Sequence, residues 1–555
     1  MEKRNIFIIG GIIVVVILAV FGFGALISKV SVGDNLGESQ ARDTVRAIAE
    51  KINAKEVNHK ADTSWIGSEG SILELPEVNE KYPASVKGTS GNDVVIFSST
   101  EKSNVKANKW LDIMAKEFNA QHKDMSVTII PVASGIALDY IRTRTFIPDA
   151  YTPANALWGE MIKSSGMQMS TISDRMIGNV AGILVKQDAY DKFIAKYQDA
   201  TFANIIAAVE AGDLTLGHTN PNGSSTGLNI LLQELKAFDP DNPLSSEAAK
   251  RFGEFSSKIP AISPTTAEMM KVADKGLANA VIMEAQAYTE AQMSGWKFIP
   301  VGVRHDSPLY SLDNLEQKKV DVLKAFNSHC QTANAQEQGK QLGFNQYNDY
   351  AGAANTYSGN DMFTALKLWK QNKDAYSPVI SVFVVDRSGS MDGQPMARMK
   401  DALKNSIQYI NEDNYIGLVT YSGGNDITID LPVKQFTAEQ QSLFYGAIKE
   451  MKASGGTATN SALIVALNMA LQKQEEVPGA KIRIIVMSDG QQNEGYGLRD
   501  AEELVKGLKV PVYGIGFNAK LDDLQKLADI NESYTINADN EDIIYKIKDL
   551  FLLEL

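Results

Sequence analysis

The sequence predicts an α/β protein with an N-terminal transmembrane helix and two successive α/β domains, the second of them doubly wound. Three observations support this fold class. An uncharged apolar run fills residues 6–28, strands alternate with helical stretches from residue 93 to about residue 350, and a second alternation with six strands fills the chain from residue 377. Strands that alternate with helices are typical of α/β folds, and we expect their sheets to be parallel.

The composition excludes several classes of protein. The 555 residues include 54 Lys and Arg against 67 Asp and Glu, a formal net charge of −13. Because an acidic chain is poorly suited to bind phosphate backbones, we expect no nucleic-acid partner. Hydrophobic residues make up 44% and charged residues 22%, as in ordinary globular domains. The single cysteine, Cys330, excludes an intramolecular disulfide framework and a Cys-rich zinc or iron–sulfur site.

The N-terminus predicts a membrane anchor. Lys3 and Arg4 precede the apolar run, which as a helix would be about 34 Å long at ~1.5 Å per residue, enough to span a bilayer. A cleaved signal peptide is the alternative, but its apolar region is shorter and ends in a small-x-small cleavage site. We therefore favour an uncleaved signal anchor over residues 1–29. The positive charges before the run predict a single-pass protein of the cell membrane, with a cytoplasmic N-terminus and extracellular C-terminal domains.

The next part of the chain divides by texture. Residues 30–91 are polar and mixed, with one helical stretch at 41–55, and we expect a stalk there. Residues 92–350 form the first α/β domain, followed by a connector at 351–376 that contains a short helix at 361–370. The strands predicted in the first domain are Val94–Phe97, Val127–Val132, Gly182–Val185, Leu214–Gly217 and Ala280–Met283. Helices are predicted at 108–121, 136–142, 228–238 and 317–343.

Residues 377–555 form the second α/β domain. Its predicted strands are Ile380–Val385, Tyr415–Tyr421, Ile427–Leu431, Lys481–Met487, Pro511–Phe517 and Tyr534–Asn537. Helices are predicted at 396–411, 460–474, 521–530 and 542–550. About 180 residues with six strands and interleaved helices make one doubly wound domain.

Polar residues follow two of these strands in a recognisable order. Asp386, Ser388 and Ser390 form a D-x-S-x-S motif at the end of an apolar strand, Thr457 closes a Gly-rich loop, and Asp489 follows another apolar strand. Ligand sites of open α/β sheets lie at such strand ends. Residues 377–555 resemble a von Willebrand factor A domain, whose metal-ion-dependent adhesion site has the pattern D-x-S-x-S…T…D.

This resemblance implies a divalent cation and a protein partner. It implies that the cation is Mg²⁺, or Mn²⁺ or Ca²⁺, with the hydroxyls of Ser388, Ser390 and Thr457 as direct ligands. Asp386 and Asp489 would hold coordinated water, and an Asp or Glu of a partner protein would fill an open position. Oxygen ligands of this kind suit a hard cation. The alternative is that these residues only cap a turn and a helix.

In the first α/β domain, three hydroxyl-bearing turns each follow a strand. Hydroxyls and N–H groups at a helix N-terminus can hold a polar ligand, although Ser and Thr are also common N-caps. Residues 92–350 resemble bacterial extracellular solute-binding proteins of the type II periplasmic fold, which implies two lobes that close on a small solute. The candidate ligand-binding residues are Ser98, Ser99, Ser134, Asn220, Ser224, Ser225, Thr226, Glu284 and Tyr288.

Two classes of function therefore compete. One is a surface adhesion or scaffold protein, in which the solute-binding-like domain is a sensor or spacer. The other is a transport-linked receptor that delivers a solute to membrane partners. We expect no enzymatic activity, because the sequence lacks a catalytic triad, a Walker loop, an HExxH motif and a dinucleotide fingerprint.

Overall fold

The computed structural model describes residues 30–64, 75, 77–259, 261–263, 269, 278–373, 378–407, 410–490, 492–517, 522–530 and 535–537. The expected anchor at residues 1–29 and the predicted helix at 542–550 lie outside these residues. Among the helices that the structure describes, none is long and apolar enough to cross a membrane.

The N-terminal segment packs on the C-terminal domain. It contains α1 (Glu38–Ile52) and the short strand β1 (Lys55–Glu56). One face of α1 buries Ala41, Val45, Ile48 and Ala49, and the first three belong to the hydrophobic core of the C-terminal domain. This differs from the stalk expected over residues 30–91. The helical stretch was predicted, but the sequence pattern alone does not identify the partner of an amphipathic face.

The chain that follows α1 is held along an edge of the C-terminal sheet. β1 pairs in parallel with residues 428 and 429, and the Val57 N–H donates to the Ile429 carbonyl at 3.0 Å. The two ring nitrogens of His59 lie 2.9 Å from Asp430 Oδ1 and 2.8 Å from Glu450 Oε2. Residues 30–62 are therefore structurally part of the C-terminal domain, although about 300 residues separate them from it in the sequence.

The middle of the chain folds into two lobes, each with a five-stranded sheet. Its elements are α2 (Val78–Lys81), β2 (Asp93–Ser98), α3 (Trp110–Gln121), β3 (Ser126–Pro131), α4 (Ser134–Arg142), β4 (Ala150–Thr152), α5 (Leu157–Ser164), β5 (Met169–Ser173), β6 (Val180–Lys186), α6 (Gln187–Tyr197), α7 (Phe202–Glu210), β7 (Leu216–Thr219), α8 (Ser225–Phe238), α9 (Ser246–Ser256), β8 (Ala261–Ser263), β9 (Ala280–Glu284), α10 (Ala285–Glu290), β10 (Trp296–Arg304), β11 (Leu309–Leu312), α11 (Gln317–Cys330), α12 (Ala333–Gln341) and α13 (Gly359–Asn372).

The two sheets are mixed rather than purely parallel. The first lobe has the strand order β3-β2-β4-β11-β5, and the second has β10-β6-β9-β7-β8. β6 runs antiparallel to β9 and β10, and β11 runs antiparallel to β4 and β5. The expectation of parallel sheets is therefore wrong for these strands. The chain passes between the lobes after β5 and after β10. β6 and β11 are the first strands after these two crossings, and each runs antiparallel to both of its neighbours.

Two predicted segments differ in detail. The helical stretch at 317–343 is two helices, because Thr332 caps α12 by accepting a hydrogen bond from the Ala335 N–H at 3.3 Å. The helix expected in the connector is α13, and its Met362 and Trp369 are buried in the core shared by the two lobes. α13 is thus packed as part of the middle domain.

The C-terminal domain is built on a seven-stranded sheet with the order β1-β14-β13-β12-β15-β16-β17. Its elements are β12 (Val379–Asp386), α14 (Gln394–Ser406), β13 (Tyr415–Tyr421), β14 (Ile427–Gln435), α15 (Ala438–Glu450), α16 (Thr459–Glu476), β15 (Lys481–Ser488), α17 (Leu498–Leu508), β16 (Val512–Gly516), α18 (Asp522–Ile530) and β17 (Thr535–Asn537). The six strands predicted in this domain are confirmed. All pairs are parallel except β13 with β14, and hydrophobic cores cover both faces of the sheet.

Candidate functional site

The first candidate site begins where the central strand β12 ends. Every residue of β12 is buried, including its last residue, Asp386. The Ser388 N–H donates to Asp386 Oδ1 at 2.8 Å, and the Ser488 hydroxyl at the end of the neighbouring β15 donates to Asp386 Oδ2 at 2.6 Å. Both oxygens of this carboxylate are therefore held in a fixed orientation at the carboxyl edge of the sheet.

The motif hydroxyls connect the ends of β12 and β15. Ser390 Oγ lies 3.1 Å from Ser388 Oγ and donates to Asp489 Oδ1 at 2.9 Å. Asp489 follows β15 directly, so the parallel pairing of β12 and β15 brings the two carboxylates to the same edge. Four of the five predicted metal-site residues thus form one connected polar group.

The fifth residue, Thr457, lies in a loop that is hydrogen-bonded to the backbone between the motif residues. The Ser454 N–H donates to the Arg387 carbonyl at 2.7 Å, and the Gly389 N–H donates to the Gly455 carbonyl at 3.1 Å. Gly455 has a φ of +78°, and a Cβ at this position would lie 3.0 Å from Ser422 Oγ, so glycine fits where other residues would be strained. Thr457 is buried beside the motif at the end of this loop.

The electrostatics of the group fit a divalent cation. Burial raises the pKa of Asp386, and the negative charge of Asp489 raises it further; burial also raises the pKa of Asp489. Neither carboxylate forms an ion pair with Lys or Arg among the described residues. Two carboxylates and three hydroxyls, without a compensating cation from the protein, match the oxygen ligands of Mg²⁺. Across the described ranges, no group of three or more His, Cys, Asp or Glu side chains could hold a metal, so a site here depends on the hydroxyls.

Two residues near this edge were not identified from the sequence. Glu494 is exposed and accepts a hydrogen bond from the Gly424 N–H at 2.6 Å, which places a third carboxylate beside the Gly-rich loop. Asn493 Oδ1 accepts from the Thr457 N–H at 2.9 Å and holds the loop in place. Neither residue belongs to a motif, and their position depends on the turn after β15.

The second candidate site is a cavity of about 250 Å³ between the two lobes of the middle domain. The first lobe contributes the residues after β2, Lys109 before α3, and the start of α4. The second lobe contributes the residues at the start of α8 and the junction of β9 with α10. The cavity is lined by Ser99, Thr100, Glu101, Asn104, Lys109, Ala133, Ser134, Gly223, Ser224, Ser225, Glu284, Gln286, Ala287 and Glu290.

The structure brings together five of the nine predicted ligand-binding residues. Those that line the cavity are Ser99, Ser134, Ser224, Ser225 and Glu284. The other four lie elsewhere. Ser98 is fully buried and donates to the Ser99 carbonyl, Thr226 is fully buried and donates to Glu284 Oε1, Asn220 accepts from the Asn222 N–H, and Tyr288 donates to the Trp296 carbonyl.

Several lining hydroxyls already have partners in the protein. Ser224 is the N-cap of α8 and accepts from the Gly227 N–H at 3.2 Å. Ser225 Oγ accepts from the Trp158 indole N–H at 2.8 Å, a contact between the lobes. For Ser224 the simple capping interpretation is therefore sufficient. The lining residues that were not among the predicted ligand-binding residues are Thr100, Glu101, Asn104, Lys109, Ala133, Gly223, Gln286, Ala287 and Glu290.

Comparison with known proteins assigns both domains. Residues 103–340 match the family model described as bacterial extracellular solute-binding protein, and residues 382–551 match that of the von Willebrand factor type A domain. The chain is a solute-binding protein domain followed by a von Willebrand factor A domain. The A domain contains the first candidate site, and the solute-binding domain contains the cavity.

Individual relatives cover only parts of the chain. Inter-alpha-trypsin inhibitor heavy chain H3 from Bos taurus is 32% identical over 153 residues, which is 26% of this chain and 17% of that protein. The chain thus spans about one sixth of that curated relative. A von Willebrand factor type A structure from Catenulispora acidiphila has 21% identity and a TM-score of 0.29, covering 32% of this chain and 42% of that chain. The sulfate-binding protein SubI from Mycobacterium tuberculosis H37Rv has 12% identity and a TM-score of 0.34, covering 45% and 86%.

Proposed function

We propose that this protein is a non-enzymatic binding protein of the cell surface whose A domain engages an acidic side chain of a partner protein through a divalent cation. One observation carries the proposal: the polar group of Asp386, Ser388, Ser390 and Asp489 is continuous at the carboxyl edge of the sheet. The loop that contains Thr457 is hydrogen-bonded to the motif backbone at Arg387 and Gly389. Mg²⁺, Mn²⁺ and Ca²⁺ all accept such oxygen ligands, and Mg²⁺ suits the small number of carboxylates best.

The residues of this edge have distinct roles in the proposal. The hydroxyls of Ser388, Ser390 and Thr457 provide neutral oxygen ligands, and the two carboxylates provide negative charge. Ser488 and the Ser388 N–H keep Asp386 from rotating. When bound, the cation would offer a partner carboxylate an open coordination position. Because most of the ligands are neutral, the edge would keep enough positive charge to attract that carboxylate.

The proposed location is the outer face of a cell membrane. Residues 1–29 would be a single-pass anchor with a cytoplasmic N-terminus, and the two domains would be extracellular. The apolar run at 6–28, with Lys3 and Arg4 before it, supports this orientation. The match of residues 103–340 to an extracellular family supports a location outside the cytoplasm.

The metal site is tested by substitution and titration. We expect Mg²⁺ to raise the melting temperature of the purified wild-type chain, and we expect D386N and T457A to remove that increase. The matched control D413A changes an exposed aspartate of the same domain, and it should respond to Mg²⁺ like the wild type. Calorimetric titration of Mg²⁺ into each variant measures the same loss directly.

Partner binding is tested on the same variants. Capture of a protein partner should require Mg²⁺, disappear in EDTA and be lost in D386N and T457A. Capture that persists unchanged in EDTA would contradict the proposed role of the cation. A Mg²⁺ response in D386N and T457A equal to that of the wild type would contradict the site itself.

A transport-linked solute receptor is the second candidate function, and the cavity between the lobes favours it. A ligand that binds the native state and not the unfolded chain raises the melting temperature. If one small solute stabilises the full chain and a permease component binds the solute-loaded form, the receptor function gains support. If the solute-binding domain acts as a spacer in an adhesion protein, neither effect is expected.

A further inference from the structure

We propose that the solute recognised in the cavity between the lobes carries a positively charged nitrogen, such as a protonated amine. This inference rests on the proposed solute-binding role of the middle domain and specifies the chemical class of its ligand. A cationic ligand is the opposite of the oxyanion that hydroxyls and helix N-termini alone would favour.

The charges around the cavity do not cancel. Three carboxylates line the cavity, those of Glu101, Glu284 and Glu290, together with the ammonium group of Lys109. Lys109 of the first lobe lies 2.5 Å from both oxygens of Glu290 in the second lobe, and this pair is internally neutral. Lys102 does not line the cavity but is fully buried, and its Nζ lies 3.4 Å from Glu101 Oε1. Burial lowers the pKa of Lys102, and the charges of Glu101 and Glu284 oppose this change. Lys109 and Lys102 together balance at most two of the three carboxylates, so at least one negative charge remains.

His305 does not supply the missing positive charge. The amide of Asn229 is oriented by the backbone of Val303, because its Nδ2 donates to the Val303 carbonyl and its Oδ1 accepts from the Val303 N–H, both at 2.9 Å. Asn155 Oδ1 accepts from the Leu157 N–H. The amide nitrogens of Asn229 and Asn155 therefore face His305 Nε2, at 3.2 and 3.0 Å. Two donors on Nε2 require an unprotonated nitrogen, so this histidine is neutral and carries its proton on Nδ1.

The hydrogen-bond donors that surround the Glu284 side chain are neutral groups. His305 Nδ1 donates to Glu284 Oε1 at 3.1 Å, Thr226 Oγ1 donates to the same oxygen at 3.2 Å, and Asn179 Nδ2 donates to Oε2 at 3.4 Å. Neutral donors favour a carboxylate without cancelling its charge. Glu284 is only 5% exposed and forms no ion pair with Lys or Arg among the described residues. A buried charge that is held only by neutral donors is unfavourable. A cation in the adjacent cavity would compensate it.

The remaining lining residues suit an ammonium group. Thr100, Asn104 and Gln286 have neutral side-chain oxygens that can accept N–H hydrogen bonds, and none of the lining residues is aromatic. The cavity of about 250 Å³ limits the ligand to a small solute. Because α4 and α8 begin at the cavity wall, a zwitterion with a carboxylate at these N-termini belongs to the same class.

The experiment is a calorimetric titration of the full chain at low salt with a defined set of compounds. The set contains ethanolamine, putrescine, glycine and alanine as ammonium compounds, sulfate and molybdate as oxyanions, and glucose as a neutral solute. We expect binding of at least one ammonium compound and no binding of the oxyanions or glucose. Comparing the affinities of glycine and alanine with those of ethanolamine and putrescine distinguishes a preference for zwitterions from a preference for simple amines.

Substitutions then test the role of Glu284. E284Q should weaken binding of the ammonium compound at least about 30-fold, because it removes one partner of a buried charge pair. Y288F is the matched control, since the Tyr288 hydroxyl bonds the Trp296 carbonyl outside the cavity lining, and its affinity should equal that of the wild type. If E284Q does not fold, E101Q provides the second variant, because Glu101 is partly exposed and is also expected to favour a cation.

Each of the other outcomes would contradict a specific part of the proposal. Binding of an oxyanion or glucose without any ammonium compound would overturn the charge class and leave the solute-binding role intact. No binding by any compound would overturn the charge class and favour the spacer role. An ammonium compound whose affinity is the same in the wild type, E284Q and E101Q would overturn the role assigned to the cavity carboxylates.

Discussion

At the scale of single residues, the metal-site motif could be predicted from the sequence, whereas the buried Lys102 could not. The motif residues Asp386, Ser388 and Ser390 were predicted because a fixed spacing at a strand end is visible in the sequence. Lys102 was not predicted, because a lone lysine in a loop has no pattern. Its ammonium group is fully buried and donates to the Thr152 and Pro153 carbonyls at 3.0 and 3.1 Å. Such burial follows only from the packing of two distant loops.

The single cysteine gives a prediction at this scale. Cys330 is fully buried at the end of α11, and desolvation raises the pKa of its thiol well above the ordinary value. We expect the native protein to resist iodoacetamide even near pH 9, where an exposed thiol is largely ionised. Labelling should become complete in denaturant, as measured by mass spectrometry. Rapid labelling of the native chain would show that Cys330 is accessible.

At the scale of elements, most strands and helices were predictable, whereas their partners were not. Six of the seven strands of the C-terminal sheet were predicted because long β-branched runs are bounded by turn residues. β1, β4, β5, β8 and β11 were missed because they are short, polar or both, and their strand conformation depends on the neighbours they pair with. The nine-residue β10 was also missed, and Pro300 interrupts its apolar pattern. The spacing of Ala41, Val45 and Ile48 indicates an amphipathic helix, but the same spacing fits any apolar surface.

The packing of α1 gives a prediction at this scale. I48A removes a fully buried side chain from the core of the C-terminal domain, and we expect a loss of about 2–4 kcal/mol in the stability of that domain. E50A changes an exposed position of the same helix and should cost less than about 0.5 kcal/mol. Denaturant unfolding, monitored through Mg²⁺ binding by the domain, measures the change in the free energy of unfolding for both variants. Equal stability of I48A and the wild type would mean that α1 is a free stalk in solution.

At the scale of the whole molecule, the solute-binding domain is inserted between two parts of the A domain. Residues 30–62 lie on the A domain, the chain then forms the two lobes, and it returns to the A domain at β12. Sequence texture predicted the order of the units but not this insertion, since it requires contacts between residues about 400 positions apart, such as Arg42 and Gln474.

The insertion predicts that the A domain folds without the lobes if its N-terminal part is kept. A chain of residues 30–64 joined by a flexible linker to residues 378–555 should bind Mg²⁺ like the full protein. Residues 378–555 alone should melt at least about 10 °C lower, because the loss of the α1 face removes several kcal/mol at about 2–4 °C per kcal/mol. Calorimetric melts of the two chains measure the difference. Equal melting temperatures would contradict a structural role for residues 30–64.

The contact between α1 and the A domain also determines how tension would travel. A force applied between residue 30 and a partner bound at the carboxyl end of β12 would pass through α1 directly into the A domain. The two lobes lie between β1 and β12 in the chain, and they would carry none of this force. If α1 were torn from its groove, the lobes would enter the line of tension and the distance between the ends would grow. As long as the helix stays in place in this hydrophobic core, the cavity between the lobes would therefore be kept out of the line of tension.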